Sequence, residues 1–576
     1  MELSEKKKWY LSAKYGIYMT LSYEGYDRNP LPRRYSDKCG IFSDGRMPKD
    51  INEIADAFDV KYFAAFCRDI GVEYVNFTLY HAHIYTLCPN SALDRWLPGH
   101  TSRRDVIREL LDELHGYGIK LQLYVHATVG DTMTDAEREA TGYNDPTGEY
   151  VKWNDFVNEV FAELIERYGN DMDSYYFDMI FDDPFLNVID IERLRKTFND
   201  RVPDVILTGN GEANDLVDFS SREDCAIYVP DEFQRYSTAV QHVVLVPTLE
   251  GRGWWSMFPS DHPPVVGYTP EALYRILALN IGSNTCGGGV AYCFGPYCDR
   301  GFEPGVEDAM RAVGKMVQRV SESIKNTVPS KSFVTPSGVK IGELAGGFTA
   351  VTSADGKYEY LHVLVPPSEE RLVLPESLDG RRFKNAVLLP DGKPLECHKE
   401  GKETVIVNRY GWDSVDTVIR METVKSTKKF KTGRILLPAE ALKIHSNCSD
   451  PNHPTECMTD GDNGSYWQST SGNLHELRIE LDGEYYVRGI KILPRQDLGA
   501  EALKTHIAIY SVYVSSDGEK WRAVTTGEWK RSTELKSCSF PPVRGKFLKV
   551  VCGPDWFIGF EHKVDSASAV YVEASV

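Results

Sequence analysis

Short apolar runs alternate with segments of helical period along roughly the first 330 residues. Lys14–Ser22 (KYGIYMTLS), Glu73–His81 (EYVNFTLYH), Lys120–Ala127 (KLQLYVHA) and Ser174–Phe181 (SYYFDMIF) read as strands. Between them, Asp50–Asp69 places Ile54, Phe58, Tyr62 and Phe66 on one helical face. Ser102–Tyr117 carries a buried stripe of Val106, Ile107, Leu110, Leu111 and Leu114, with Ser102 and Asp105 resembling a capping box. Trp153–Tyr168 predicts the next helix. Val205–Gly209, Ala226–Val229, Val243–Pro247 and the glycine-rich stretch at 286–295 continue the strand series, and a helix over Val306–Ile324 closes it. This predicts an α/β fold: a parallel (β/α)8-like barrel over 1–330, with a doubly wound open sheet as the alternative.

The period changes after Ser332. Gly346–Thr352, Glu359–Val365 and Glu403–Val407 alternate, and Asp-Gly turns at 355, 379 and 391 interrupt them. That pattern predicts an antiparallel β-sandwich over 331–426. A Lys- and Thr-rich linker, Val424–Gly433, leads to a strand-dense block over 434–576 that reads as a second β-sandwich. A chain of 576 residues is too long for one core, and three domains accommodate it.

Composition narrows the function classes. Sixty-five basic against 84 acidic residues give a net charge of −19, opposite to the footprint of a nucleic-acid binder. No apolar run reaches about 18 residues, so no membrane insertion is expected. The start, MELSEKKKWYLSAKYG, has no apolar leader core and reads as cytoplasmic, or as secreted if a leader has been trimmed. Twelve scattered Cys with no CxxC spacing read as free thiols, although Cys448 and Cys457 are near enough in sequence for a local pair.

In a parallel barrel, chemistry sits at the C-terminal ends of strands. Polar residues there are Tyr23 after strand one, His81 and His83 after strand two, His126 after strand three and Asp178 on strand four. Asn210 and Glu212 follow strand five, Glu232 lies in VPDEF, and Glu250, Trp254 and Trp255 lie in a later loop. Asp178 is the sharpest: a carboxylate inside YYFDMIF must be paired or functional, because a buried unpaired charge is costly. Strand alternation predicts that His81 and His83 face the same side, where with His126 they could grip hydroxyls or, alternatively, a zinc ion.

The order of these segments resembles the α-L-fucosidases of glycoside hydrolase family 29. KYGIYMTLSYE, GVEYVNFTLYHAHIYTLCPNS, GIKLQLYVHAT and SYYFDMI follow the family's strand motifs, and GGGVAYCFGPYCDRGFEPGVEDAMRAVGKMVQRVSESI its end-of-barrel block. The resemblance covers about the first 425 residues and implies a retaining exo-glycosidase, with Asp178 as nucleophile and a second carboxyl about 5–5.5 Å away as acid/base. Glu232 is placed first for that second role, then Glu250 and Glu212. The implied sugar-facing residues are His81, His83, His126, Tyr23, Trp254, Trp255 and Glu250. No cofactor is expected for catalysis. The sequence departs from the family at Thr20-Leu21, Ala82 and Tyr176, which implies altered specificity or a barrel that only binds glycans.

The last block resembles a coagulation-factor C-type, discoidin-like module, the fold of family 32 carbohydrate-binding modules. ECMTDGDNGSYWQS, VRGIKILPRQD, IYSVYVSSDGEKW and VRGKFLKVVC carry the likeness. It implies glycan contacts, for which His453, Arg495 and Trp556 are candidates. It also implies a possible structural calcium near Asp460 and Asp462, and assigns Trp467 to the core.

Overall fold

Parity along the strands decides where each side chain of the N-terminal half goes. In the computed structural model eight parallel strands close on themselves in sequence order. They are β1 (Tyr15–Met19), β2 (Tyr74–Tyr80), β3 (Lys120–Val125), β4 (Ser174–Phe177), β5 (Ile206–Asn210), β6 (Phe219–Glu223), β7 (Gln241–Leu245) and β8 (Gly289–Phe294). The structure describes residues 4–23, 40–81, 83–126, 133–178, 188–210, 216–223, 241–247, 254–283, 288–336, 339–426, 432–470, 475–497, 505–529, 532–553 and 564–575.

Outward positions meet the helices. Phe77 packs on Phe58 and Phe63, and Phe177 on Phe161 and Phe198. Inward positions build three tiers. At the bottom, Gln122 Nε2 donates to Ser174 Oγ (2.9 Å) and Thr208 Oγ1 (3.0 Å). Above it stand Tyr18, Tyr124 and Tyr176, ring against ring at 5.5–5.8 Å. Two residues further along β3 and β4 come His126 and Asp178. Gly16 is required by this filling, since a Cβ there would lie 2.3 Å from the Tyr74 ring. The helix α1 (Glu5–Ser12) closes the lower end: Tyr10 stacks on Phe219 at 5.4 Å, and Lys7 pairs with Asp218 at 2.7 Å.

The chain divides into two compact units, one mainly up to Lys325 and one mainly from Asn326 onward. The second unit holds two apolar cores. Its first sheets contain β9 (Thr327–Pro329), β10 (Phe348–Ser353), β11 (Tyr358–Val363), β12 (Arg371–Leu374), β13 (Arg382–Leu388), β14 (Glu396–Glu400), β15 (Glu403–Val407) and β16 (Thr417–Val424). They are ordered β13-β16-β11-β10-β9 and β12-β15-β14, all antiparallel. The remainder forms a seven-stranded antiparallel sheet dominated by the long strands His475–Leu493 and Lys536–Gly553, and a two-stranded sheet of Trp467–Gln468 with Ser566–Ala567. Trp467 is buried in its core, with its indole N–H on Ser449 Oγ.

Some sequence expectations shift locally. The helix expected over 50–69 is two, Ile51–Ala57 and Val60–Ile70, the second capped by Asp59. The helix expected from Ser102 begins at Val106, capped by Asp105; the Ser102 hydroxyl donates instead to the Arg104 carbonyl. The sixth strand is Phe219–Glu223, whereas the expected Ala226–Val229 lies outside the described residues. Cys448 and Cys457 are both free thiols.

Candidate active site

β4 delivers Asp178 to the top of the barrel. Its backbone N–H continues the ladder to Val125 O at 2.9 Å, and the residue is 8% exposed. Tyr124 Oη donates to Asp178 Oδ2 at 2.5 Å, and Asn210 Nδ2 donates to Oδ1 at 2.9 Å. His126 Nε2 stands 3.9 Å from Oδ2. Each carboxylate oxygen thus has a named donor. Donors of this kind fix the carboxylate plane.

Histidine and tryptophan rings wall the same mouth. The His81 ring lies 4.5 Å from that of His126, 5.9 Å from Tyr124 and edge-on to Trp255 at 5.3 Å. Trp255 Nε1 donates to Ser22 Oγ at 3.1 Å, and Trp254 meets Tyr18 edge-on at 5.7 Å. The segment bearing these tryptophans is pinned from below. Glu303 Oε1 accepts from the Met257 and Phe258 N–H groups at 2.6 and 2.8 Å, and Ser256 Oγ donates to Pro296 O. Burial pushes the Glu303 carboxyl up, against the pull of those two N–H groups. Flat apolar faces beside fixed hydrogen-bonding groups suit a ring that presents both C–H faces and hydroxyls.

The sequence-based residues fall into distinct places. Asp178, His81, His126 and Trp255 come together, with Trp254 beside Tyr18. The expectation for His83 is corrected. β2 ends at Tyr80 after a register shift between Thr78 and Tyr80, so alternation does not carry through to it. A turn follows, closed by Ile84 N donating to His81 O at 2.9 Å, and His83 is half-buried within it. Tyr23 donates its hydroxyl to Lys49 O (2.7 Å) and meets Tyr85 edge-on. Glu212, Glu232, Glu250 and Trp556 lie outside the described residues. Tyr124 escaped the sequence reading, although it is in phase with Gln122 and His126 on one strand. Asn210 stood out only as a strand-end polar residue.

In the C-terminal sheet domain, His453 stacks on Tyr466 with centroids 4.1 Å apart, and the Arg495 guanidinium lies 3.6 Å from the same ring. Asp497 anchors Arg495 through two hydrogen bonds. Tyr466 is therefore the centre of the cluster that contains His453 and Arg495. The Asp460 carboxylate accepts from Asp462 N and Ser465 Oγ, and Asp462 Oδ1 accepts from Gly464 N. Among the described residues no three His, Cys, Asp or Glu side chains gather as a metal site, at this turn or at the barrel mouth.

Residues 49–231 match the family model described as Alpha-L-fucosidase, and residues 443–557 match that of the F5/8 type C domain. Among solved structures, the chain is similar to an alpha-L-fucosidase of glycoside hydrolase family 29 from Bacteroides thetaiotaomicron. The identity is 15% and the TM-score 0.52, over 74% of this chain and 97% of that one. It is also similar to alpha-L-fucosidase isoenzyme 1 from Paenibacillus thiaminolyticus, at 17% identity and TM-score 0.52, over 73% and 99% of the two chains. A bacterial fucosidase bound to a monovalent iminocyclitol inhibitor matches at 16% identity and TM-score 0.52, over 74% and 97%. At these identities the structural likeness speaks for the fold. The family matches mark the chain as a glycosidase with an Alpha-L-fucosidase-type region and an F5/8 type C domain.

Proposed function

We propose that the protein is a retaining exo-glycosidase that releases a terminal α-linked sugar, L-fucose in the first instance, from a glycan. The observation that carries this is the Asp178 carboxylate, held at the barrel mouth by Tyr124 and Asn210 beside the His81–His126 pair. Asp178 attacks the anomeric carbon, and the bond to the leaving oxygen breaks as a second carboxylic acid protonates it. Water, deprotonated by the same second group, then displaces the sugar from Asp178. Glu232 is the proposed acid/base, with Glu250 and Glu212 as the alternatives.

Tyr124 and Asn210 hold the carboxylate ready before the sugar arrives, so little reorganisation is needed at the moment of attack. His81 and His126 are the proposed partners for sugar hydroxyls, and Trp254 and Trp255 for an apolar sugar face. In the F5/8 type C domain, the His453–Tyr466–Arg495 cluster is proposed to hold a second glycan unit.

The test uses a nitrophenyl α-L-fucoside and related glycosides. Wild type is expected to turn over the fucoside and to release the α-anomer first, read by proton NMR. Asp178→Gly is expected to be silent until azide is added, then to yield the β-fucosyl azide. Release of the β-anomer, or full turnover by Asp178→Gly without azide, would overturn the assignment.

A further inference from the structure

Directly after the His81 turn the backbone is strained. Ile84 has φ of +58°, a left-handed conformation that a β-branched residue rarely adopts. Such strain persists only where the surroundings over-determine it. The side chain that meets the Ile84 carbonyl is His100. Its Nδ1 is 3.3 Å from Ile84 O and its Nε2 is 3.2 Å from Glu137 Oε1. The ring thus bridges the Ile84 carbonyl and the Glu137 carboxylate, one nitrogen to each. Its face lies flat on Tyr85, with centroids 3.9 Å apart and planes 10° apart. Ile84, Tyr85 and His100 are all buried.

Glu137 is itself fixed. It closes the capping box of the helix Asp135–Thr141, with its Oε2 accepting from Thr134 N (2.9 Å) and Thr134 Oγ1 (2.8 Å). Burial alone would raise its carboxyl. The hydrogen bonds from His100 and Thr134 overcome that and hold it well below the usual carboxylate range. The chain of contacts runs from the helix that follows β3, through Glu137 and His100, to the turn that follows β2. Those two strands carry His126 and His81 at their ends.

We propose that His100, gripped by Glu137, is a positioning residue that holds the strained Ile84 turn and thereby sets the His81 ring against His126 and Trp255. Its importance for turnover rests on the fucosidase-like reading; its effect on the turn does not. Backbone contacts from Thr86 N to His100 O and from Ser102 N to Thr86 O tie the two segments together, but none of them reaches Ile84.

The test separates positioning from stability. His100→Phe keeps a ring on Tyr85 and loses both hydrogen bonds. Two readouts are taken: kcat and KM on the nitrophenyl fucoside, and the ¹⁹F resonance of Trp255 in protein labelled with 5-fluorotryptophan, assigned with Trp255→Phe. Trp255 reports on His81, whose ring it touches, and needs no substrate. The expected result is a displaced Trp255 resonance and a tenfold or greater fall in kcat with KM changing less. Adding Ile84→Gly, which adopts the left-handed conformation without a clamp, is expected to bring the resonance and most of the rate back.

If His100→Phe does not fold, Glu137→Gln must displace the same resonance in the same direction. A variant that melts earlier with the Trp255 signal unchanged would overturn the proposal. Failure of Ile84→Gly to restore the signal would overturn it as well. Should wild type turn over no glycoside, the proposed function falls, while the Trp255 signal still decides whether His100 sets the turn.

Discussion

Asp178 and Glu359 occupy matching positions in the sequence and different ones in the fold. Each is a carboxylate inside an apolar run of the sequence, YYFDMIF in one and YEYLHV in the other. Each accepts from two neutral donors. Asp178 takes Tyr124 and Asn210; Glu359 takes Ser330 and Thr352. Asp178 ends a barrel strand at the mouth, among rings. Glu359 is sealed in the sheet region that follows, and its carboxyl is pushed up to about 7 by burial, which outweighs the two hydroxyls. A carboxylate in a hydrophobic strand is therefore a sign of compensation, and only its place in the topology makes it a candidate for chemistry.

The widest separation between the two should come from removing the charge at Asp178. Asp178→Asn is expected to cost at least about 10³-fold in kcat with little change in Tm. A near-wild-type rate would put Asp178 with Glu359 among structural groups.

Glu359→Gln should do the reverse, leaving turnover alone and changing stability with pH. The folded carboxyl titrates about 7, above the ordinary 4.5, so the folded state favours the protonated form. That contribution is complete below about pH 4.5 and lost as pH rises through 7. The loss reaches roughly 3 kcal/mol by the convention of 1.36 kcal/mol per pH unit. Thermal melts should show Glu359→Gln above wild type at pH 8 and close to it at pH 5. Parallel melting curves at both pH values would remove the assignment.

Tyr124→Phe tests whether the donor at the mouth matters beyond packing. Loss of one hydrogen bond to a charged group predicts about a 10- to 100-fold drop in kcat. The corresponding change at the sealed site, Thr352→Val, should leave turnover alone. The mildest expected effect is in the F5/8 type C domain: Arg495→Ala should weaken glycan binding about tenfold on an array with fucoside kinetics unaltered. Equal binding by both proteins would take the Tyr466 cluster out of recognition.

The barrel was legible because the outward parity of its first four strands is apolar and its helices carry strong stripes. The sixth strand was not, because FSSRE has no apolar run to announce it; its partners come from closing the barrel. Asp178, His81 and His126 could be read as strand-end polar residues in order. Tyr124 was hidden by its type, since an aromatic on a core strand looks like filling, and the hydroxyl matters only once β4 places Asp178 above it. For His83 the alternation argument assumes a regular strand, whereas β2 has a register shift and stops at Tyr80. His100 carries no signal in the sequence at all. Its role arises from contacts 16 and 37 residues away along the chain.

The tier of Tyr18, Tyr124 and Tyr176 also has an electrical side. Beneath the mouth lies a slab of aromatic rings, so the charge at Asp178 is poorly shielded from below. Field changes introduced in the top tier should be felt almost undiluted at the Asp178 carboxyl. The same charge placed on the outer helices would be spent on solvent and salt. For re-tuning the chemistry, a few top-tier positions outweigh the whole of the outer surface.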